Sequence, residues 1–399
     1  MKRAVVSGLG PNGMLAALKL RKAGFAVTAA DQRPAYTRSI HLNLRQSWMD
    51  AVRALDAPLH QRLEGIARRI EAYEHLGRKP RAAGAAPHTL LLRRLLEEPT
   101  LHVRLDELER EFQNHLASLD GVEVLTDTRV SLEGQGAYSV RLRPGGKSST
   151  AQGRLLQRPD LVVIAEGGKS PTAQALGLQM LRVSAPRFYI SVHVDHALGP
   201  VTRRLDTEVD GAHVSYWAVG HGDPARGTWL VLEIPERVHG GRPSSTFDGD
   251  YYARGAAQLL QLERAPEPSG VGLRGTFRFE QQLLPRPVAG DNVVVLGDAA
   301  GMGHHALGTG LELGAWDVGL LGAMLDDGAP RPAALESYAT GVREARVTLL
   351  AFGMHEYYPR LATDPTPWIR EALAAAAADP SLDAVKLLEA RLTRSAGGA

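Results

Sequence analysis

The stretch Gly8-Leu9-Gly10-Pro11-Asn12-Gly13 constrains this chain more than any other. Three glycines in the spacing G-x-G-x-x-G follow an apolar run at 4–7. They precede residues of helical periodicity, with Leu15, Leu18 and Ala23 on one stripe. Gly24 closes that helix, and Phe25 to Ala30 resumes as a strand. The first glycine permits a tight turn. The second lets a pyrophosphate approach the backbone, and the third lets the helix pack on the strand. The free N–H groups of the helix N-terminus then meet the phosphates. Asp31 ends the second strand, where a carboxylate can accept from both hydroxyls of a ribose. This unit predicts a parallel sheet and a dinucleotide ligand. By itself it does not separate NAD from FAD.

The rest of the chain extends the pattern. Residues 40–72 read as helical with a break near Pro58, and 77–88 as a loop rich in Gly and Pro. A helix is expected over 105–119, with Leu105, Leu108, Phe112 and Leu116 at helical spacing. Strands are expected at 122–125, 129–133, 138–142 and 161–165. After 181 the composition changes. Stretches such as 188–194, 213–219 and 228–234 carry β-branched and aromatic residues and read as antiparallel strands. A buried strand returns at 293–297, and from 333 the chain reads as mostly helical, with breaks at Pro365 and Pro380. No internal repeat is visible.

Two later segments decide between the dinucleotides. In the first, the strand Leu161 to Ala165 runs into Glu166-Gly167-Gly168-Lys169-Ser170. In the second, Val293-Val294-Val295-Leu296 runs into Gly297-Asp298-Ala299-Ala300, then Gly301, Gly303, Gly308 and Gly310, which open a helix near Leu311. Asp298 thus stands at the C-terminal edge of a parallel sheet, where ligands bind. With Gly8 to Gly13, these segments resemble the p-hydroxybenzoate hydroxylase-type (group A) FAD-dependent monooxygenase family. Residues 165–170 look like its A-D-G-x-x-S, with Glu166 in place of Asp. Residues 297–317 look like its G-D-A-A-H…P-x-x-G-x-G-x-N…D, ending on Asp317. Residues 1–180 and 285–350 carry the resemblance.

The resemblance implies an α/β fold. A Rossmann-like FAD-binding domain would be assembled from 1–71, 99–180 and 285–355. A largely antiparallel β-sheet substrate domain would come from 72–98 and 181–284, and a helical C-terminal tail from 356–399. It implies FAD-binding roles for Asp298 on the ribityl chain and for the backbone around Gly308, Gly310 and Leu311 at the flavin pyrimidine ring. Arg104, before a helix, and Arg45 match two arginines near the cofactor, with Arg45 also a candidate catalytic residue. NADPH or NADH would serve as a transient electron donor, with O2 adding at flavin C4a and one oxygen passing to a small organic substrate. The alternatives are an FAD-dependent reductase or dehydrogenase and a cyclase that uses FAD without redox chemistry. Beside Glu166 there are four further departures. Gly301 replaces the usual His, His304-His305 occupy the proline position, Glu312 replaces Asn, and Ala173 stands where Arg is expected. Gly297 to Gly301 also looks like the prenyl-reductase and halogenase branches, but the halogenase W-x-W-x-I-P is absent.

Other constellations in the sequence offer further chemistry. His304 and His305 are candidate proton or hydrogen-bond donors beside flavin or substrate; as adjacent residues they point differently, and no further ligand spacing supports a metal. His41 could donate to cofactor or substrate or lie on the surface. Trp217, Trp229 and Trp368 could line a cavity, although packing is the commoner use of such rings. His355-Glu356 is not H-E-x-x-H, and no G-x-S-x-G elbow occurs. Lys and Arg total 46 against 44 Asp and Glu, so nothing electrostatic favours nucleic acid or an anionic membrane. The absence of cysteine removes disulfides and thiol chemistry and fits a reducing cytoplasm. No secretory signal and no membrane span are expected.

Overall fold

A computed structural model describes residues 1–34, 40–78, 88–145, 153–220, 227–243, 246–269, 276–304, 308–326, 331–357 and 364–378. The opening forms as the glycines require, with β1 (Arg3–Ser7), α1 (Pro11–Lys22) and β2 (Ala26–Ala30). Pro11 stands in the first helical turn, where its missing N–H costs nothing.

The expected helix over 40–72 is instead β3 (His41–Leu44), α2 (Gln46–Leu55), α3 (Ala57–Ile66) and the start of β4 (Arg68–Arg78). The break falls at Asp56, whose carboxylate accepts from the Leu59 amide at 2.8 Å, with Pro58 in the first turn of α3. In β4 the buried residues Ile70, Ala72, Glu74 and Leu76 alternate with more exposed ones, a period of two rather than 3.6. Part of the loop expected at 77–88 is strand as well. Gly77 and Arg78 close β4, His88 opens β5 (His88–Arg104), and 79–87 lie outside the described residues. Then α4 (Leu105–Ala117) buries Leu105, Leu108, Phe112 and Leu116, as their spacing predicts.

The middle of the chain gives β6 (Val122–Leu125), β7 (Thr128–Glu133), β8 (Ser139–Pro144), β9 (Arg154–Leu156), β10 (Leu161–Ile164) and α5 (Pro171–Ala175). There follow β11 (Leu181–Arg182), β12 (Arg187–Val194), β13 (Val201–Val209), β14 (Ala212–Gly220), β15 (Thr228–Ile234), α6 (Glu236–His239) and α7 (Gly249–Leu260). The last part gives β16 (Thr276–Phe279), β17 (Gln282–Leu283), β18 (Val288–Ala289), β19 (Val293–Val295), β20 (Gly301–Met302), α8 (Gly310–Asp326), α9 (Pro332–Tyr357) and α10 (Thr366–Ala378). The break at Pro365 falls just before α10, whereas Pro380 lies outside the described residues. Among the described residues no helix is long and apolar enough to cross a membrane.

Two sheets organise the molecule. The first runs β18-β19-β10-β1-β2-β6 and is parallel except at β18. Helices cover it, so β10 and β19 are fully buried and continuously apolar. The second runs β16-β12-β15-β14-β13-β4-β5-β3 and is mostly antiparallel. Its two faces differ. Phe188, Ile190, Val192, Leu230, Leu232 and Val214 pack with Tyr251, Tyr252 and Leu259 of α7 in one core. Their alternates, among them Tyr189, Ser191, His193, Trp229, Glu233 and Ser215, point to the opposite face. A third core joins α9 and α10 to the short strands β11 and β17 through Leu181, Leu283, Leu350, Met354 and Ile369.

Candidate cofactor site

The three glycine-bearing segments meet at one cavity of about 270 Å³ at the C-terminal edge of the parallel sheet. Its lining includes Gly8, Gly10, Asp31, Glu166, Gly297 and Asp298. The three glycines of the first segment do different work. Gly8 has φ +100°, and a Cβ there would lie 2.4 Å from the Ala165 carbonyl oxygen. A Cβ on Gly13 would lie 2.0 Å from the Gly8 carbonyl oxygen. Both are therefore dictated by protein packing. A Cβ on Gly10 would meet nothing within 4 Å. The bare backbone at Gly10 clears space in the cavity rather than space for the protein.

Asp31 is buried at the cavity wall and is held on all sides. It accepts from the Leu9 amide at 2.9 Å, from the Arg33 amide at 2.8 Å and from Arg33 Nη2 at 2.9 Å. Burial alone would raise its carboxyl, but the hydrogen bonds and charge of Arg33 outweigh that and lower it. Arg33 also reaches Glu109 of α4 at 3.2 Å. Sequence reading missed Arg33 and Glu109. The spacing Asp31-x-Arg33 was the available signal, since side chains two apart on an extended segment share a side.

Glu166, which stands where the resembling family has Asp, is turned into the protein. It accepts from Ser7 Oγ and Thr172 Oγ1 at 2.5 Å each, from Ser170 Oγ at 2.8 Å and from the Thr172 amide at 2.9 Å. Its carboxylate thus ties the end of β1 to the first turn of α5. Ala173, where an arginine was expected, is buried in α5.

The third segment is anchored from below by a buried ion pair. Asp317 of α8 accepts from Arg346 Nη2 of α9 at 2.7 Å and from the Gly297 amide at 2.8 Å, while Arg346 Nη2 donates to the Gly297 carbonyl at 2.8 Å. Tyr338 adds a bond to the Val295 carbonyl at 3.0 Å. Both charged side chains are within 1% of full burial, so this clamp fixes Gly297 and presents the exposed Asp298 to the cavity. Arg346 lies in a long helix with no local pattern to mark it. Gly301, at φ +153°, stands where a Cβ would be 2.8 Å from both Arg346 Cδ and the Gln282 carbonyl. The histidine usual at that position therefore cannot be accommodated by this backbone.

Asn12 joins the first and third segments. Its Nδ2 donates to the Gly310 carbonyl at 3.2 Å, and Gly314 admits it to α8. Gly310 lies beside Asp298, 3.5 Å from the position of a Cβ to Oδ1. Leu311 is buried in the first turn of α8. Glu312, in the same turn, accepts from Ser47 Oγ of α2 at 3.4 Å. Arg45, preceding α2, reaches Gly308, with Nη2 at 3.2 Å from the position of a Cβ. Arg104 is set apart from these residues. It precedes α4, pairs with Asp106 at 2.6 Å, and is not part of the cavity lining.

The loop after Gly301 leaves this cavity for the polar face of the eight-stranded sheet. His304 is buried there, its Nε2 3.3 Å from Glu233 Oε1. His305 lies outside the described residues. Glu233 also receives Arg187 at 3.2 Å, Tyr189 Oη at 3.2 Å and the Ser215 amide at 2.7 Å. Burial would raise its carboxyl, but Arg187 and His304 bring it down to about 2. Beside it, Arg204 pairs with Asp206 at 2.8 Å and lies 4.9 Å over the Trp217 ring. Trp229 stacks on His41 on the same face, whereas Trp368 packs against the α9–α10 core.

The residues present suit FAD. The cradle at Gly10 is open, the first turn of α1 faces it, and Asn12 Oδ1 is buried without a hydrogen-bond partner among the described residues. Among solved structures, 2-methyl-3-hydroxypyridine-5-carboxylic acid oxygenase is similar, with 17% identity and a TM-score of 0.68, covering 97% of this chain and 98% of that one. PqsL, a probable FAD-dependent monooxygenase from Pseudomonas aeruginosa, aligns with 19% identity and a TM-score of 0.64, covering 94% and 98%. Tetracycline destructase Tet(51) aligns with 13% identity and a TM-score of 0.61, covering 96% and 99%. No curated sequence matches the chain significantly. The family model described as the FAD binding domain matches residues 2–350, and the chain therefore belongs to this FAD-binding family.

Proposed function

We propose that the protein is an FAD-dependent monooxygenase that takes electrons from NADPH or NADH and uses O2 to hydroxylate or epoxidise a small organic substrate. The carrying observation is the path of one loop. It starts at Gly297-Asp298 on the cofactor cavity and passes Gly301. It touches Glu233 of the second sheet through His304 and ends against Arg45 at Gly308. Cofactor cavity and polar sheet face are thereby adjoining, as an oxygen-transfer site between two layers requires. The fold shared with the oxygenase, PqsL and Tet(51) structures agrees with this reading.

In it, the first-turn amides of α1 hold the pyrophosphate, Asp31 the ribose, Asp298 the ribityl chain, and the Gly310–Leu311 amides the pyrimidine edge of the ring. When bound, FAD supplies electron acceptance from the nicotinamide and activation of O2. The N-terminus of α8 favours negative charge at the ring edge. The sheet face, with Trp217, Trp229 and Tyr189, excludes water and orients the substrate. The cofactor unit would comprise 1–71, 99–180 and 285–355, the substrate unit 72–98 and 181–284, with 356–399 as a helical tail. The lack of cysteine supports a cytoplasmic setting.

Gly301 would favour a reductase if its departure from His were chemical, but packing against Arg346 and Gln282 accounts for it. The test is direct. The purified protein should release intact FAD on denaturation, and products formed under ¹⁸O₂ with NAD(P)H should carry one labelled oxygen. Product formed without label would replace this reading with a reductase, or with a cyclase if no nicotinamide is consumed.

A further inference from the structure

The acceptor positions of Asp31 are already filled by the protein. An ionised carboxylate offers about four of them. Its Oδ1 takes the Arg33 amide at 2.8 Å and Arg33 Nε at 3.0 Å, and its Oδ2 takes the Leu9 amide at 2.9 Å and Arg33 Nη2 at 2.9 Å. Two of these donors are backbone amides, and the other two belong to one guanidinium. That guanidinium bridges both carboxylate oxygens, the atoms to which the two hydroxyls of a ribose would donate.

The two kinds of donor are not held equally. The backbone around Asp31 and Arg33 is pinned to its neighbours. The Asp31 amide donates to the Leu125 carbonyl at 2.9 Å, the Thr128 amide to the Asp31 carbonyl at 2.8 Å, and the Asp127 amide to the Arg33 carbonyl at 3.0 Å. On the other side the Gly8 amide donates to the Ala30 carbonyl at 2.8 Å, which fixes the approach of Leu9. Both amides therefore stay in place. The guanidinium sits at the end of a long side chain with many rotamers, and Arg33 lines the cofactor cavity beside Asp31.

A second carboxylate borders the same guanidinium. Glu109 of α4 is 0% exposed, with Oε1 at 3.2 Å from Arg33 Nη2 and Oε2 at 3.4 Å from Nη1. These distances exceed those to Asp31, so the guanidinium sits nearer to Asp31. Its two Nη atoms nonetheless face both Glu109 oxygens, the bidentate arrangement in which arginine pairs strongly with a carboxylate. A carboxylate buried as deeply as Glu109 needs a cation. The arginine is thus kept between the two acids, and its movement runs from one to the other rather than out to solvent.

Resting on the assignment of this cavity to FAD, we infer that Arg33 competes with the cofactor ribose for Asp31, and that Glu109 is the anion that takes Arg33 over when the ribose binds. Arg33 and Glu109 are then positioning residues that set how tightly Asp31 holds an adenosine. The ligand class is a nucleotide whose ribose keeps both hydroxyls. One hydroxyl replaces Nε on Oδ1 and the other replaces Nη2 on Oδ2, so Asp31 keeps the same number of hydrogen bonds. Arg33 shortens its two bonds to Glu109 as it leaves. No covalent bond changes and no proton is transferred. The sign is opposite to that of a supporting contact, because the cation beside the ribose-binding acid weakens ribose binding.

The test uses the full chain with ADP and FAD as separate probes, read by titration calorimetry and, for FAD, by flavin fluorescence. Arg33→Met combined with Glu109→Gln leaves Glu109 no charge to bury. It should bind both probes about tenfold more tightly than the parent, the scale of one charge-assisted hydrogen bond no longer displaced. Glu109→Gln alone should weaken both probes, because Arg33 then lacks a second carboxylate to move to. Added to Arg33→Met, the same substitution should change nothing, which a merely structural role of Glu109 would not give. Arg33→Lys, which cannot bridge both Asp31 oxygens, should also tighten binding and serves as the second variant should the pair fail to fold. In ¹⁵N spectra of the parent the Arg33 Nε–H resonance should shift on adding ADP and stay in place with inorganic pyrophosphate. A parent that binds ADP but takes up no FAD refutes the function proposed above, and the inference is then decided on ADP alone. Weaker binding once Arg33 is replaced, an equal effect of Glu109→Gln with and without Arg33, or no binding of ADP to the parent overturns it.

Discussion

Gly10 and Gly13 make opposite predictions although they belong to one motif. Gly10 has φ −71° and ψ 174°, a conformation open to any L residue. A Cβ there touches nothing in the protein. Gly10→Val should therefore leave the apoprotein folded, and the loss of backbone freedom in the unfolded chain could add about 0.4–1 kcal/mol to stability. Its side chain would project into the cavity where a pyrophosphate must approach, so FAD binding should vanish. Gly13→Ala places a methyl 2.0 Å from the Gly8 carbonyl. That overlap requires β1 and α1 to separate, at a cost of about 1–3 kcal/mol typical of overpacking. The assay is thermal or urea unfolding of both variants and the parent, with and without FAD. At a hundredfold excess over Kd, FAD should stabilise the parent by about 2.7 kcal/mol through mass action. It should add nothing to Gly10→Val, while Gly13→Ala is weakened even without FAD. If Gly10→Val destabilises the apoprotein as much as Gly13→Ala, Gly10 is structural. If it keeps its FAD-dependent stabilisation, the cavity is not the cofactor site.

Other expectations follow from the buried charges. Arg346→Met should cost about 3–5 kcal/mol, because it leaves the Asp317 carboxylate buried without its cation; the double variant Arg346→Met with Asp317→Leu should recover part of that in urea unfolding. Glu233 sits at about 2, below its value in the unfolded chain. Its contribution is therefore present above the usual carboxylate range and lost as pH falls toward 2, so Glu233→Gln should flatten the acid limb of stability that the parent shows on acid titration by circular dichroism. Glu312 accepts from Ser47, toward α2. Glu312→Gln should accordingly leave the FAD midpoint potential unchanged; a rise of about 30 mV, equal to about 1.4 kcal/mol for two electrons, would place its charge against the flavin instead.

The parallel half of the fold was legible because local rules act alone there. Gly8 to Gly13, the apolar run 161–164 and the run 293–295 each announce a strand buried on both faces and a turn beyond it. The edge of the second sheet was not legible. In β4 the sequence Arg-Arg-Ile-Glu-Ala-Tyr-Glu-His-Leu alternates, but Glu74 sits in the buried register, paired to Arg203 at 2.9 Å. A charge in the apolar register hides the period of two, and only the neighbouring strands supply the cations that permit it, Arg203 from β13 and Arg93 from β5 at 3.7 Å. The helix α7 lay partly within a Gly- and Pro-rich stretch. It is held by Tyr251 and Tyr252 against the sheet, a tertiary contact that propensity does not report.

The same distinction separates the candidate residues that a short window of sequence marks from those it does not. Gly8, Gly10, Gly13, Asp31, Asp298 and Gly310 act through backbone shape or a strand end, and both leave marks in a short window. Glu109, Arg346 and Glu233 act as partners to groups far away in the chain, and Arg33 links the nearby Asp31 to Glu109, so these roles exist only once the sheets are assembled. His304 shows how a motif position changes meaning through such a partner. The resembling family carries proline there. A buried imidazole needs a polar partner at that depth, and Glu233 with Arg187 provides one. The loop that a proline would stiffen through its own ring is here tied through His304 to Glu233 of the eight-stranded sheet.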